Sequence, residues 1–383
     1  CGHNLSEDIV SGIDVVPFRN SAMDGFAVSS RWLAGCASSS PLSLPYTPAL
    51  FAGQDASSIN NYGQPLKIMT GAQVPDQFDA VIKVEDVAFD EDKVTFTSET
   101  KPGANVRERG EDIARGSLLY EKGRMIGPLD IGILASVGLR TVSVVRKPSA
   151  LIVITGDELV EPGLQLKAGE IYNSNRRTIR ALIGGFCGEI KIAGAADAPG
   201  AAGAIGDDPG SLASALSAGS IGSEVVVSTG GVSAGDRDYL IGAAESAGWT
   251  SVFHKVAIKP GKPFYFARRD SQLLFGLPGN PLSAAVTCAV FVIPALKKLM
   301  GRPEFLPAPS PARLESPRRP VGDRTLIWPG KITALDSYTR ASLSGKTSSA
   351  SLSALLDSDG LIIQHSSQNG ENVETLSWNQ ILS

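Results

Sequence analysis

Histidine and cysteine are scarce, with 3 and 4 copies in 383 residues. Cys1, Cys36, Cys187 and Cys288 are scattered with no C-x-x-C pair, and His3, His254 and His365 stand far apart. That excludes a zinc finger or a disulfide framework and fits a reducing cytoplasm. Long apolar runs are missing too. The longest, Ala284 to Leu296, holds Pro294 and runs into Lys297 and Lys298, so it reads as a buried helix too short to span a membrane. No signal peptide is legible, and the start Cys1-Gly2-His3, without an initiator methionine, reads as trimmed. A basic excess is also lacking. Lys and Arg number 35 against 39 Asp and Glu, and no basic stripe with interleaved aromatics occurs, which argues against nucleic acid as a partner.

What is plentiful is apolar residues, at 43% against 19% charged, so the chain folds rather than staying disordered. Its length predicts two to four packed units. Glycine (41) and proline (24) are frequent without a collagen-like period, which points to sites built on loops.

Residues 1–146 carry short β-like runs broken by Gly and Pro, such as Leu66 to Thr70, Ala80 to Val84 and Lys93 to Thr97. These predict a β-rich insertion, 22–113, within a mixed α/β unit formed by 1–21 and 114–146. From Lys147 the texture changes. The runs Ala150 to Thr155, Glu224 to Ser228 and Gln272 to Phe275 alternate with helical patterns at Arg176 to Ile183, Ser211 to Ala218, Asp238 to Ala247 and Leu282 to Met300. This alternation predicts a central open α/β domain with a mostly parallel sheet over 147–303. The proline-dense stretch Arg302 to Arg319 reads as a linker into a small β-barrel-like C-terminal domain, 304–383. The fold class is thus multidomain α/β.

In an open parallel sheet, ligands gather outside the carboxyl ends of the strands. The loops there are Thr155-Gly156-Asp157-Glu158, Ser228 to Asp236 with Gly230, Gly231 and Ser233, and Gly276-Leu277-Pro278-Gly279-Asn280-Pro281. Glycines let backbone N–H groups approach an anion, and Asn280 before Pro281 has the order that starts a helix. One such loop is an ordinary βα turn; three at one sheet edge point to an oxyanion or phosphate. The carboxylates beside them, Asp157, Glu158, Asp207, Asp208, Asp236 and Asp238, suit either helix starts or a hard cation such as Mg²⁺. In Lys255 to Pro263, an extended strand places Lys255 and Lys259 on one side, with Lys262 after the turn, and converging ammonium groups favour a tetrahedral dianion.

Two patterns fail. Ser344-Gly345-Lys346-Thr347 lacks the glycine a P-loop needs, since Arg340 stands there, and Gly230 to Gly235 is not G-x-G-x-x-G. Ordinary nucleotide-hydrolase and dehydrogenase readings lose support.

Seven motifs in order, Asn20 to Val28 (NSAMDGFAV), Ile68 to Pro75 (IMTGAQVP), Arg109 to Ile113 (RGEDI), Thr155 to Leu159, the Gly-Gly-Val-Ser loop with Asp238-Tyr239, Lys259 to Pro263 and Gly276 to Pro281, resemble the molybdopterin molybdenumtransferases of the MoeA type, also seen as the gephyrin E-domain. The resemblance covers nearly the whole chain. It implies molybdenum insertion into adenylated molybdopterin from molybdate, with release of AMP and the help of Mg²⁺ or another divalent cation. It also implies a cytoplasmic homodimer of four-domain subunits whose cleft the second subunit completes, with a molybdopterin adenylyltransferase as a further partner. By it the functional carboxylates fall on Asp24, Asp112, Glu158, Asp207 and Asp238, with Asp207, Asp238 and Glu158 as cation ligands. The lysines are Lys255, Lys259 and Lys262. Substrate contacts fall on Thr155, Gly156, Asp157, Ser228, Gly230, Gly231, Ser233, Pro278, Gly279, Asn280, Pro281, Arg324 and Ser349. The terminal unit departs from the family, with Ala350 in place of a second serine and Pro329 where an arginine is expected.

Two other readings share parts of this pattern. Residues 147–303 alone also suit the enzyme that adenylates molybdopterin, and the gephyrin E-domain suggests a non-enzymatic scaffold. The Ser21 to Val28 and Arg109 to Ile113 motifs favour the transferase over the first, and the retained carboxylates favour it over the second.

Overall fold

The computed structural model describes residues 1–59, 63–194, 204–206, 208–232, 239–316, 322–344, 348–367 and 370–383. The chain divides into two compact units, Cys1–Ser143 and Val144–Ser383.

In the first unit the strands Thr47–Leu50, Leu66–Ile68, Gly25–Val28 and Ala80–Lys83 form one sheet, and Leu42–Pro45, Lys93–Phe96 and Ala88–Phe89 a second. The strand Gly25–Val28 sends Ala27 to one apolar cluster and Phe26 and Val28 to another, as a period of two requires when both faces are covered. Gly25 cannot carry a side chain: a Cβ there would lie 1.9 Å from the Ile82 carbonyl oxygen. A smaller core joins Leu5, Ile9, Tyr120, Ile126 and Leu134, the last on the helix Pro128–Ser136. Gly127 precedes that helix, and Asp130 Oδ2 accepts its N–H at 2.8 Å while Oδ1 accepts from Arg124 at 3.0 Å. The N–H and the guanidinium hold the Asp130 carboxyl below its usual range against the opposing effect of burial.

The second unit is built on a six-stranded sheet with the order Glu189–Ile192, Ser149–Ile154, Val225–Thr229, Gln272–Leu277, Tyr265–Arg269, Thr250–His254. The first four run parallel, and Tyr265–Arg269 is antiparallel to both of its neighbours. Alternation again sorts the side chains. Ala150, Ile152, Ile154, Val225 and Val227 pack with Ile179 and Ile183 of the helix Ser174–Gly184 and with Leu282, Val286 and Leu296. Leu151, Val153 and Val226 face Leu212 and Leu216 of Pro209–Ser217 and Leu240, Ala243 and Ala244 of Leu240–Ser246. The expected strands and helices of this layer are present, with ends shifted by a few residues. The helix expected near Leu282 is one continuous run, Pro281–Leu299, with a π-helical turn at Cys288–Val292. It is longer than the apolar run in the sequence, and by length and composition it could cross a membrane. Its most apolar window is 72% buried in the core.

Strands Thr325–Ala334, Thr339–Leu343, Ser310–Leu314, Asn372–Ser377 and Gly360–Gln364 close on themselves into a small barrel, because Gly360–Gln364 pairs back with Thr325–Ala334. The expectation of a linker over Arg302 to Arg319 is therefore corrected: Ser310–Leu314 is a barrel strand whose Pro311 sits opposite Glu374. Gly330 and Gly360 are register partners, and a Cβ on either would lie 2.3 or 2.2 Å from a neighbouring carbonyl oxygen. Gly330→Ala is expected to destabilise the second unit by roughly 1–3 kcal/mol, the range for overpacking. Gly242→Ala, on a helix with open space around the new methyl, is expected to stabilise it by about 0.5–1 kcal/mol. Calorimetric unfolding of the two variants checks the opposite signs.

Candidate functional site

Three loops at the carboxyl ends of adjacent parallel strands enclose a cavity of about 590 Å³ in the second unit. The loop after Ser149–Ile154 contributes Thr155, Gly156 and Glu158, the loop after Val225–Thr229 contributes Gly230 and Gly231, and the loop after Gln272–Leu277 contributes Pro278, Gly279, Asn280 and Pro281. The loops interlock. Thr155 donates from its backbone N–H (3.2 Å) and its hydroxyl (3.3 Å) to the Thr229 carbonyl, and Gly230 N–H donates to the Leu277 carbonyl (3.2 Å). The backbone turns into the left-handed region at Gly230 (φ +93°), and a Cβ there would sit 2.5 Å from Thr155 Oγ1. Only glycine meets both demands.

The loops leave donors over. Among the described residues, the N–H groups of Gly231, Gly279 and Asn280 have no acceptor. Such groups beside a helix start form a cradle for an anion. The helix start itself is less open than the sequence suggests. Asn280 precedes Pro281 as expected, but its side chain does not cap the helix; Nδ2 donates to Ser349 Oγ at 3.2 Å. The Ser283 N–H donates to the Ser349 carbonyl at 3.3 Å. Ser349, placed by sequence in the terminal unit, thus meets the cavity loop, and its neighbour Ala350 lines the cavity.

Several expected residues lie elsewhere. Ser228 is fully buried and does not line the cavity; Thr229 does. The single extended strand expected through Lys255 and Lys259 is corrected. Lys255 has φ +71°, which ends the strand Thr250–His254, and a separate strand, Ile258–Lys259, pairs with Thr325–Leu326. Period-two reasoning therefore does not align the two lysines. All three lysines are exposed and outside the cavity lining, although Pro263 belongs to it. The parallel pairing of Ile258 with Thr325 and of Lys259 with Leu326 places Arg324 level with Ala257, two residues before Lys259.

Among the carboxylates, Glu158 lines the cavity and makes no ion pair among the described residues. Asp157 Oδ1 and Asp208 Oδ2 approach Gly206, at 3.7 and 3.3 Å from the position of a Cβ there. Asp208 Oδ1 accepts the Ser211 N–H at 2.8 Å, so this residue caps the helix Pro209–Ser217, one of the two roles open to it. Asp207, Ser233, Asp236 and Asp238 lie outside the described residues. No group of three metal-binding side chains occurs among the described ones. The hard oxygen donor of Glu158 suits Mg²⁺ or another divalent cation and is its one proposed ligand in view.

Asp24 and Asp112 belong to the first unit and are both exposed. Asp24 Oδ1 accepts both the Thr70 hydroxyl and the Thr70 N–H at 2.7 Å, which hold its carboxyl below the usual range. This contact joins the Asn20 to Val28 and Ile68 to Pro75 motifs. The Arg109 to Ile113 motif wraps Asp14, which accepts from Arg109 Nε at 2.6 Å and from the Arg115 N–H at 2.7 Å.

Sequence reasoning missed the wall formed by Ile171, Tyr172, Asn173 and Asn175. The helix there begins at Ser174, two residues before the expected Arg176, with Asn173 Oδ1 accepting the Arg176 N–H at 3.1 Å. An asparagine followed by a helical pattern was the available signal. Replacing Gly230 by alanine is expected to drive Thr155 out of place and lower turnover at least 100-fold while the sheet stays folded; steady-state kinetics with circular dichroism checks this.

Residues 1–138 match the family described as MoeA N-terminal region (domain I and II), and residues 151–298 match the probable molybdopterin binding domain. The molybdopterin molybdenumtransferase of Haemophilus influenzae is 37% identical over 306 residues, covering 79% of this chain and 72% of the relative. The molybdopterin molybdenumtransferase of Synechococcus elongatus is 32% identical over 364 residues, covering 92% and 85%. Two crystal structures of the molybdopterin biosynthesis MoeA protein of Pyrococcus horikoshii superpose with TM-scores of 0.83 and 0.77 at 31% and 28% identity. They cover 98% of this chain and 91% and 92% of theirs. With two domain families in order and relatives above 30% identity that match most of the chain, the chain belongs to the MoeA family of molybdopterin molybdenumtransferases.

Proposed function

We propose that this chain is the enzyme that inserts molybdenum into adenylated molybdopterin, taking molybdate as substrate and releasing AMP. The observation that carries the reading is the three-loop cavity with backbone donors that have no acceptor among the described residues, which suits the phosphates of an adenylated substrate. Curated relatives of the same name match over most of the chain, and the match over residues 1–138 lies outside the domain that an adenylating enzyme shares.

In this reading Gly231, Gly279 and Asn280 donate N–H groups to phosphate or molybdate oxygens, Thr155 holds the first two loops together, and Pro278 and Pro281 shape the third. Lys255, Lys259, Lys262, Arg324 and Ser349 attract and seat the oxyanion. Glu158, Asp207 and Asp238 are the ligands for Mg²⁺ or another divalent cation. Bound there, the cation supplies positive charge that makes AMP a better leaving group. Asp24 and Asp112 are further catalytic carboxylates on the strength of the family motifs.

The finer points belong to the same proposal: four domains (1–21 with 114–146, 22–113, 147–303 and 304–383), a homodimer, a cytoplasmic setting and an adenylyltransferase partner. Supporting the homodimer, the helix Pro128–Ser136 exposes Leu129 (88%), Ile131 (48%) and Ile133 (40%). The buried, unpaired thiols of Cys36, Cys187 and Cys288 suit a reducing compartment.

The deciding experiment incubates the chain with adenylated molybdopterin, Mg²⁺ and molybdate and then reconstitutes an apo-molybdoenzyme. Molybdate-dependent activity is expected, and its absence in a folded preparation contradicts the reading. Asp238→Asn is expected to abolish AMP release with the fold intact; undiminished release removes its cation role. Lys259→Ala is expected to weaken molybdate binding by about 1.5–3 kcal/mol, as for one charge-assisted contact, and titration calorimetry with an unchanged isotherm contradicts it.

A further inference from the structure

Among the described residues of the cavity wall, Asn175 alone directs a buried amide to a loop distant in sequence. It is the second residue of the helix Ser174–Gly184 and is 8% exposed. Its Nδ2 donates to the Gly279 carbonyl at 2.8 Å, over a sequence separation of 104. That contact fixes which way the amide faces, since a flipped amide would set two carbonyl oxygens 2.8 Å apart. The other end, Oδ1, is then buried with no hydrogen-bond partner. An unpaired buried acceptor is unfavourable, and leucine fills a similar volume without one. The residue is therefore poorly chosen for stability, and the contact it does make deserves a functional account.

That contact acts on a peptide plane. The Gly279 carbonyl and the Asn280 N–H belong to one planar trans unit and point in opposite directions. With the carbonyl held by Asn175, the Asn280 N–H is turned away from the helix wall, within a loop that lines the cavity throughout, and it has no acceptor among the described residues. The Asn280 side chain is tied separately to Ser349, so it does not set this orientation.

We infer that Asn175 is a positioning residue that locks the Gly279–Asn280 peptide so that its N–H meets a tetrahedral oxyanion of the substrate. The inference rests on the proposed function above, and the oxyanion is either the phosphate of the AMP moiety or molybdate. A donor held in place before the ligand arrives costs no reorganisation on binding, which is what such a tether contributes.

The test is titration calorimetry of the native chain and Asn175→Leu with AMP, adenosine and molybdate. Asn175→Leu is expected to unfold at no lower temperature than the native chain. Its affinity for one oxyanion ligand is expected to fall about tenfold or more, while adenosine, which lacks phosphate, binds unchanged. Loss for AMP alone identifies the phosphate; loss for molybdate alone identifies the oxometalate. Unchanged binding of all three ligands, or equal losses for AMP and adenosine, overturns the inference and leaves the function standing. A folded native chain that binds neither AMP nor molybdate overturns the function and the inference together. Asn175→Ala, which empties the volume instead of filling it, provides the same comparison should the leucine variant not fold.

Discussion

Backbone amides without acceptors among the described residues, held where three parallel strands end, are the constraint on which the rest of the site depends. Gly279 and Asn280 are exposed and Gly231 is half-buried, so leaving these N–H groups open to solvent costs little; what the fold must supply is their fixed aim, by packing elsewhere. The second unit does so with a sheet whose two faces are both covered. Ile152 and Val227 pack on one layer and Val153 and Val226 on the other, so the strand ends cannot drift. The loops then lock one another through Thr155, Thr229, Gly230 and Leu277.

Glycine is the means of that locking. At Gly230 both the left-handed backbone and the 2.5 Å approach to Thr155 Oγ1 forbid a side chain, and Gly279 lies beside it, 3.7 Å from the Gly230 Cα by the same measure. The barrel uses the device for a different end. Gly330 and Gly360 let two strands approach closely enough to close the sheet, and strand Ile258–Lys259 joins its edge next to Arg324. Ser349 connects the two regions by its contacts to Asn280 and Ser283 at the start of the long helix. The chemistry proposed for the chain, gathering oxyanions and a cation around a leaving phosphate, draws on both.

Much of this was legible in the sequence because it is local. Runs such as Ala150 to Ile154 announce a strand buried on both faces, and Gly and Pro mark the loops that follow. What escaped was set by contacts between distant residues. Asn175 matters through Gly279, 104 positions away, and no local pattern carries that. Lys255 takes a left-handed backbone that a lysine does not favour, so an unbroken strand was the natural expectation. Ser310–Leu314 was hidden by its own proline, which local reasoning assigns to a linker, whereas pairing with Asn372–Ser377 makes it a strand. Glu158, Gly230 and Asn280, on which family motifs and strand-end logic agree, line the cavity; Ser228, named as the first residue of its strand-end loop, is still part of the buried strand and sits one residue short of the lining.

The central claim is that one crevice at the carboxyl ends of these strands holds the oxyanion. Anomalous diffraction from crystals soaked in tungstate, a heavy stand-in for molybdate, tests it most directly. The account predicts a tungsten peak in the cavity, within hydrogen-bonding reach of the Gly279–Asn280 peptide. Full occupancy at a site remote from that peptide, with none at the strand ends, contradicts it.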